Sequence, residues 1–320
     1  MHDGEKMELE VLKVCIDGSD CSGKTSLWNT IHNISGYRWK LEDRSFVTMV
    51  VYSRLHGRKK LPDYQRQLME DLSNLNNKYI LVNPSWDTIE SRYMQRGDDL
   101  HDLEALRKIH GLYSEEIEKI SRFPNVLVLN GEDDLGDMAH RAHSWLKNQE
   151  NVSLEGVVSL VQSHVQGSKT GEVSPLKFSL IDDGNFSEDD ERILSYDHVH
   201  QHFDKIKPAT VVEFNRMVHD FMETIDKELR GDNIYNSPQG LSSRRFIFHQ
   251  EACVSFVQAM VRDEMLKFHV TCRSSHVLDV FPADIRLLYH MCHRVHKRLS
   301  LPVDMRAQLN FTLNSAHLIT

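Results

Sequence analysis

Val11-Leu12-Lys13-Val14-Cys15-Ile16, and then Gly18-Ser19-Asp20-Cys21-Ser22-Gly23-Lys24-Thr25, is the stretch that decides how this chain folds. The first six residues are short, mostly apolar and partly β-branched, as in a strand covered on both faces. The next eight fit GxxxxGK[ST], with the strand before them and a helix from about Lys24 after them. In that setting the glycines let the backbone curl, so that successive N–H groups converge on phosphate oxygens at a helix N-terminus. Lys24 would neutralise the β- and γ-phosphates, and the Thr25 hydroxyl would hold Mg²⁺. Gly18 through Thr25 therefore predict a nucleoside triphosphate site, with ATP and Mg²⁺ as its cofactors.

Further strands and helices follow in alternation. Trp39 to Leu41 reads as a short strand, and Tyr79 to Val82 and Val126 to Leu129 as two buried parallel strands. Trp86 to Arg96 and Leu103 to Ile120 have helical periodicity, and Met138 to Lys147 suits a closing helix. This order predicts an α/β fold, a doubly wound parallel sheet with flanking helices. From about Asn148 to Asp190 the rhythm is lost. A Gly/Ser/Thr cluster at Gly167 to Gly171 and an acidic run at Ser187 to Glu191 point to a boundary or a long surface loop. A helix near Val211 to Leu229, a loop at Gly231 to Gly240 and a compact block complete the chain. The expected domains are residues 1–148, a linker and helical part over 149–240, and a core over 241–320.

Composition sets outer limits. A chain of 320 residues predicts two domains, and 40% apolar with 27% charged residues is ordinary for packed ones. No apolar run approaches the roughly 18 residues of a membrane span, and the start is polar and acidic. The expectation is a cytoplasmic protein without a membrane partner, in the host cytoplasm if the chain is viral. Five scattered cysteines form neither a disulfide framework nor a metal cluster. A net charge of −9 argues against nucleic acid as a partner, although a local basic groove stays open. The 19 histidines, His198, His200 and His202 among them, read as solvated side chains before they read as a metal site.

Several residues then carry a resemblance. With Asp20 inside it, the loop resembles that of thymidylate kinases. Asp43-Arg44-Ser45, with Thr48 and Tyr52, looks like the Asp/Glu-Arg-Ser element of thymidylate and deoxynucleoside kinases, at a shorter interval from the loop. The resemblance implies that Asp43 lies near the acceptor or the metal and that Arg44 contacts phosphate. Arg92-Tyr93-Met94-Gln95-Arg96-Gly97-Asp98-Asp99, with Glu104 and Tyr113, resembles the mobile lid of those families. Lid arginines swing onto the transferring phosphoryl group, which would make Arg92 and Arg96 catalytic. Read alone, both are equally well solvated helix charges. No acid follows Tyr79 to Val82, where Asn83-Pro84 stand, so Asp43 is the candidate metal carboxylate beside Thr25. Over about residues 11–147 the resemblance implies a kinase acting on a deoxynucleoside monophosphate, with Lys24 catalytic and Asp20 and Arg44 at the substrate.

The C-terminal block carries a second resemblance. Cys253 sits in ACVSFVQAM, whose alternation suggests a strand, and alone it reads as a core cysteine. Yet Ser243-Arg244-Arg245, Cys253, Gln258, Arg273-Ser274, Pro282-Ala283-Asp284-Ile285 and His317 follow the order of the thymidylate synthase family. That resemblance implies an α+β domain in which the Cys253 thiolate adds to C6 of a pyrimidine and so activates C5. Arg273 and Ser274 would hold the nucleotide 5′-phosphate. Arg244 and Arg245 would reach the site of the opposite subunit, which implies a homodimer. His317 would belong to the substrate site. Thymidylate synthases have asparagine where Asp284 stands, and the related deoxycytidylate hydroxymethylases have aspartate, which can accept from a cytosine 4-amino group.

The folate side departs from the family. His276 replaces a catalytic, folate-contacting aspartate, Asp279, Val280 and Ala283 replace other residues near the folate, and Ile319 replaces a ribose-binding tyrosine. The nucleotide half of the site is retained, and folate is the cofactor whose half is altered. Three readings follow: a kinase fused to an enzyme of normal or modified pyrimidine deoxynucleotide synthesis, as for viral DNA; a kinase with a nucleotide-sensing or dimerisation domain; or a kinase of hydroxymethylated bases in DNA.

Overall fold

The computed structural model describes residues 7–96, 101–182, 208–234, 236–238, 240–241 and 243–318. The chain divides into two compact units, Val11–Glu150 and the combination of Met1–Glu10 with Asn151–Thr320. Strand β1 (Met7–Leu9) belongs to the second of these. The expected domain over 1–148 is corrected accordingly. The start of the chain is polar and acidic, but the backbone of Met7–Leu9 pairs with β6 and β8 in the sheet of the second unit.

The P-loop unit runs β2 (Lys13–Asp17), α1 (Lys24–Ser35), β3 (Leu41–Asp43), α2 (Phe46–Leu55), α3 (Leu61–Leu72), β4 (Asn77–Val82), α4 (Trp86–Arg96), α5 (Leu103–Ile120), β5 (Val126–Leu129) and α6 (Leu135–Glu150). Its four strands are parallel, in the order β3-β2-β4-β5. Side chains alternate across the sheet, as the two-residue strand period requires. Cys15, Tyr79 and Leu81 face a core built with Val47, Val50, Leu68, Ile109 and Ile117 of α2, α3 and α5. Val14, Ile16, Ile80 and Val82 face Leu27, Ile31, Met138 and Ala142 of α1 and α6. The doubly wound parallel sheet is thus present. The second strand lies at Leu41–Asp43 rather than Trp39–Leu41, because Leu41 to Asp43 are the residues in register with Val14 to Ile16. Trp39 instead fills the core, its indole N–H donating to Glu150.

In the second unit come β6 (Asn151–Val152), α7 (Leu154–Gly167), β7 (Glu172–Val173), β8 (Leu176–Asp182), α8 (Pro208–Arg230), β9 (Phe246–His249), β10 (Val254–Arg262), β11 (Met265–Cys272), β12 (Ser275–His276), α9 (Phe281–Arg298), β13 (Ala307–Leu313) and β14 (Ala316–His317). Seven strands form one mixed sheet in the order β6-β1-β8-β13-β11-β10-β9, and β12-β14-β7 form a second. Residues 148–182 are therefore not a loop. Helix α7 is capped by Ser153, which accepts from Gly156 N–H, and β8 alternates buried and outward residues between β1 and β13. The acidic run at 187–191, and His198, His200 and His202, lie outside the described residues. No helix among the described residues is long and apolar enough to cross a membrane.

Candidate nucleotide sites

The phosphate loop leaves the C-terminal end of β2, where parallel α/β sheets place their ligands. Gly18 has no alternative. A Cβ there would stand 2.5 Å from the Val82 carbonyl oxygen, a backbone atom that cannot move aside. Lys24 opens α1 with its ammonium largely buried, donating to the Ser19 carbonyl at 3.2 Å and to Asp20 Oδ1 at 3.3 Å. Burial pushes the Asp20 carboxyl up, but the Lys24 charge, hydrogen bonds from Tyr52 and Lys24, and the Arg44 charge hold it below its ordinary range. Asp20 is thus an ionised partner of Lys24, and Tyr52 of α2 donates to its other oxygen at 3.0 Å. His101 Nε2 lies 3.1 Å from the Tyr52 hydroxyl and 3.8 Å from Asp20 Oδ2.

Asp17, the last residue of β2, organises the ground beneath. It is fully buried and accepts from Gly18 N–H at 2.8 Å, Ser45 N–H at 2.8 Å, Ser45 Oγ at 2.7 Å, Thr48 Oγ1 at 2.8 Å and Tyr113 OH at 3.1 Å. So many donors satisfy a buried carboxylate without a cation. Burial and the Asp17 charge push the Tyr113 hydroxyl up, which keeps it protonated and donating. The same network pins Ser45 and so shapes Asp43-Arg44. Arg44 is held at φ 76, a left-handed conformation that costs a side-chain-bearing residue about 1–2 kcal/mol. Its backbone N–H donates to the Ile16 carbonyl at 3.1 Å, fixing Arg44 against the end of β2.

Mg²⁺ beside a phosphate loop would take hard oxygen donors. Thr25 and Asp43 both face solvent at the loop end of the sheet and offer hard oxygen ligands, whereas Asp17 has its oxygens fully engaged.

In the second unit, β10 and β11 pair antiparallel with Val254 opposite Cys272, and the Arg273 N–H donates to the Cys253 carbonyl at 2.7 Å. Cys253 is the one exposed cysteine of the five. It occupies a bend immediately before β10 rather than the strand itself, so its thiol is free of the sheet's facing rule. Ser275 follows Ser274 into β12 and donates to Asp284 Oδ2 at 3.5 Å from beneath α9. Burial pushes the Asp284 carboxyl up to about 7, against the lowering effect of that hydrogen bond. His276 and His317 pair in register between β12 and β14, with ring centres 5.8 Å apart. The buried Cys272 thiol is pushed up first by burial and then by the charges of Asp284 and Cys253.

This chain is similar in part to a deoxyadenosine kinase and to thymidylate synthases. The kinase is that of M. mycoides, solved with dCMP and dCDP, at 15% identity over 42% of this chain and 99% of that one, with a TM-score of 0.29. Thymidylate synthase from phage T4 matches at 23% identity, over 31% of this chain and 34% of that one, with a TM-score of 0.23. The thermostable thymidylate synthase A of Bacillus subtilis matches at 17% identity, over 31% and 36%, with a TM-score of 0.22. The matched part spans about a third of each synthase. No family model matches the chain, and no curated protein does.

The structure brings Lys24, Asp20 and Arg44 together at the loop, with Thr25 and Asp43 at its rim. Arg92 lies behind the loop, bonded to main-chain carbonyls. The Arg96 side chain and positions 97–100 lie outside the described residues, as does Ile319. Cys253, Arg273, Ser274, Asp284 and His317 share one neighbourhood, but Arg244 and Arg245 do not join it. They precede Phe246, which pairs with Ala259, six residues and about 20 Å along the strand from Cys253. Asp17 and His101 are site residues that the motif did not single out. For Asp17 the signal is an acid ending the otherwise apolar Val14-Cys15-Ile16 run. His101 carries no such signal, since it depends on where the chain returns.

Proposed function

We propose that this chain phosphorylates a pyrimidine deoxynucleoside monophosphate from ATP in its P-loop unit and binds a related monophosphate in its second unit. The observation that carries the first half is Asp20. One of its oxygens meets Lys24 and the other meets Tyr52 of α2. Lys24 marks where the transferring phosphoryl sits, and a carboxylate beside a phenol marks where a hydroxyl-bearing acceptor is held next to it. Arg44 contacts the acceptor phosphate, while Thr25 and Asp43 are the oxygen donors for the Mg²⁺ that ATP brings. Magnesium screens the negative charge of the phosphates, and the residues around it do the positioning. A panel of deoxynucleoside monophosphates, hydroxymethylated pyrimidines included, with ATP and Mg²⁺ tests this. ADP and a diphosphate are expected from a pyrimidine, and no diphosphate from any member overturns the reading.

In the second unit Arg273 and Ser274 hold the 5′-phosphate and Asp284 meets the base edge. The separation of Arg244 and Arg245 from Cys253 supports a two-fold dimer, in which each pair serves the neighbouring site. Nucleotide binding without one-carbon transfer is favoured by His276. Its Nε2–H donates to the Leu318 carbonyl at 3.0 Å, and its Nδ1 is met by the Asp279 N–H at 3.3 Å. Both ring nitrogens are thus engaged at the position where the resemblance expects a folate contact.

Asp284 supplies a pH test. As a carboxylate it accepts from a 4-amino group and repels the uracil O4; as a neutral acid it donates as well as accepts, and discrimination fades. Because its carboxyl titrates at about 7, preference for dCMP over dUMP should grow from pH 6 to pH 8. In Asp284→Asn the preference should be flat with pH and shifted toward dUMP. Calorimetric titrations of both nucleotides at the two pH values read this out, and a pH-independent preference in the wild type would contradict it.

A further inference from the structure

A phosphate loop functions when its peptide N–H groups face inward, and each peptide plane then turns its carbonyl outward. Outward carbonyls against a packed interior must find donors of their own. Here one side chain provides them. Arg92 of α4 donates through Nη1 to the carbonyls of Cys21 at 3.2 Å and Ser22 at 2.9 Å, and through Nη2 to that of Gly131 at 2.6 Å. Gly131 can approach this closely only because it lacks a side chain. A Cβ there would stand 3.0 Å from the Ser22 carbonyl oxygen and from Pro84. The same helix holds the loop a second time. The Cys21 side chain is buried with Ile89 and Leu106, and Trp86 and Tyr93 pack against them. Cys21 itself sits at φ 62, a left-handed conformation that a side chain adopts only when held.

We infer that Arg92 is a positioning residue that shapes the phosphate loop from behind, not a lid arginine that reaches the transferring phosphoryl group. A guanidinium suits this role, since its planar fork can address three carbonyls at once and its charge is permanent. Lysine, with one donor centre, cannot span them. Fixing the carbonyls of residues 21 and 22 fixes two peptide planes: the N–H of one, Ser22, closes the loop's turn on the Ser19 carbonyl at 3.2 Å, and the N–H of the other, Gly23, is held in place for phosphate before nucleotide arrives. The inference rests on the P-loop reading and deepens it. It also makes a distinct demand: a loop shaped from behind serves phosphates that ADP shares with ATP, whereas a lid arginine serves the γ-phosphoryl in flight.

The test compares wild type, Arg92→Ala and Arg92→Lys by calorimetric titration with ADP and ATP in the presence of Mg²⁺, alongside kcat. Both variants should lose ADP and ATP affinity by the same factor, about ten-fold or more. Lysine should fail to substitute even though it keeps the charge, and added methylguanidinium should restore part of the affinity of Arg92→Ala. Arg92→Lys preserves charge and most of the packing, so a matching melting temperature separates loop shape from unfolding. Unchanged ADP affinity with a hundred-fold loss of kcat would overturn the proposal and leave the P-loop reading standing. So would unchanged affinity with unchanged turnover. A wild-type protein that binds neither nucleotide would overturn the P-loop reading and this proposal with it.

Discussion

Replacing Lys24 with alanine should lower phosphoryl transfer by about 10²–10³-fold while leaving the fold intact. The ammonium is largely buried at the start of α1 and is held between the Ser19 carbonyl and Asp20. Such a charge is aimed in advance at the position where phosphate charge develops, so no reorganisation is needed during transfer. The fold should tolerate the change because Asp20 keeps its hydrogen bond from Tyr52 at 3.0 Å and the nearby Arg44 charge. Steady-state ADP release and thermal melting measure the two parts. A folded Lys24→Ala protein with near wild-type turnover would remove the P-loop assignment.

Deleting residues 1–10 should destabilise the second unit by about 3–5 kcal/mol and spare the P-loop unit. Leu9 is 1% exposed, and Met7, Glu8 and Leu9 pair with Asp182, Ile181 and Leu180 of β8. Glu8 also bridges Arg306 at 2.7 Å, and Glu10 accepts from Gln308 at 2.6 Å. Without β1, one edge of β8 loses its partners and the core loses a buried leucine. β1 also pairs with β6, Met7 opposite Val152 and Glu8 opposite Asn151. In sequence, the P-loop unit is therefore inserted between two strands that pair with each other, and insertions between adjacent strand ends are well tolerated. Truncation should lower the melting transition of the second unit while ATP binding persists. A truncated protein with both transitions unchanged would show that β1 contributes nothing to the sheet.

How much of this was legible beforehand depended on whether the information was local. Gly18 to Thr25, the strands around Tyr79 and Val126, and the helices from Trp86 and Leu103 are each specified by neighbours in sequence, and the structure has them. Helix α2 is different. Phe46-Val47-Thr48-Met49-Val50-Val51 is rich in β-branched residues that favour a strand locally. It is helical because Ser45 caps it by accepting from Val47 N–H and because Val47, Val50 and Val51 are fully buried against the sheet. Arg92 could be read as a lid charge from its motif, since nothing in the motif says which way a guanidinium points.

By itself, then, the sequence determined the phosphate loop and the parallel sheet that carries it, through periodicity and turn chemistry. The grouping of Cys253, Arg273, Ser274 and Asp284 was an expectation that only the resemblance implied. The membership of β1 in the second unit, the hydrogen-bond donors gathered on Asp17, the place of Arg92 behind the loop and the remoteness of Arg244 and Arg245 were decided by tertiary structure alone. The reason is physical. Strand partners and buried hydrogen bonds are chosen by which polar groups must be satisfied once the core has closed, and those partners lie up to 298 residues apart in the chain.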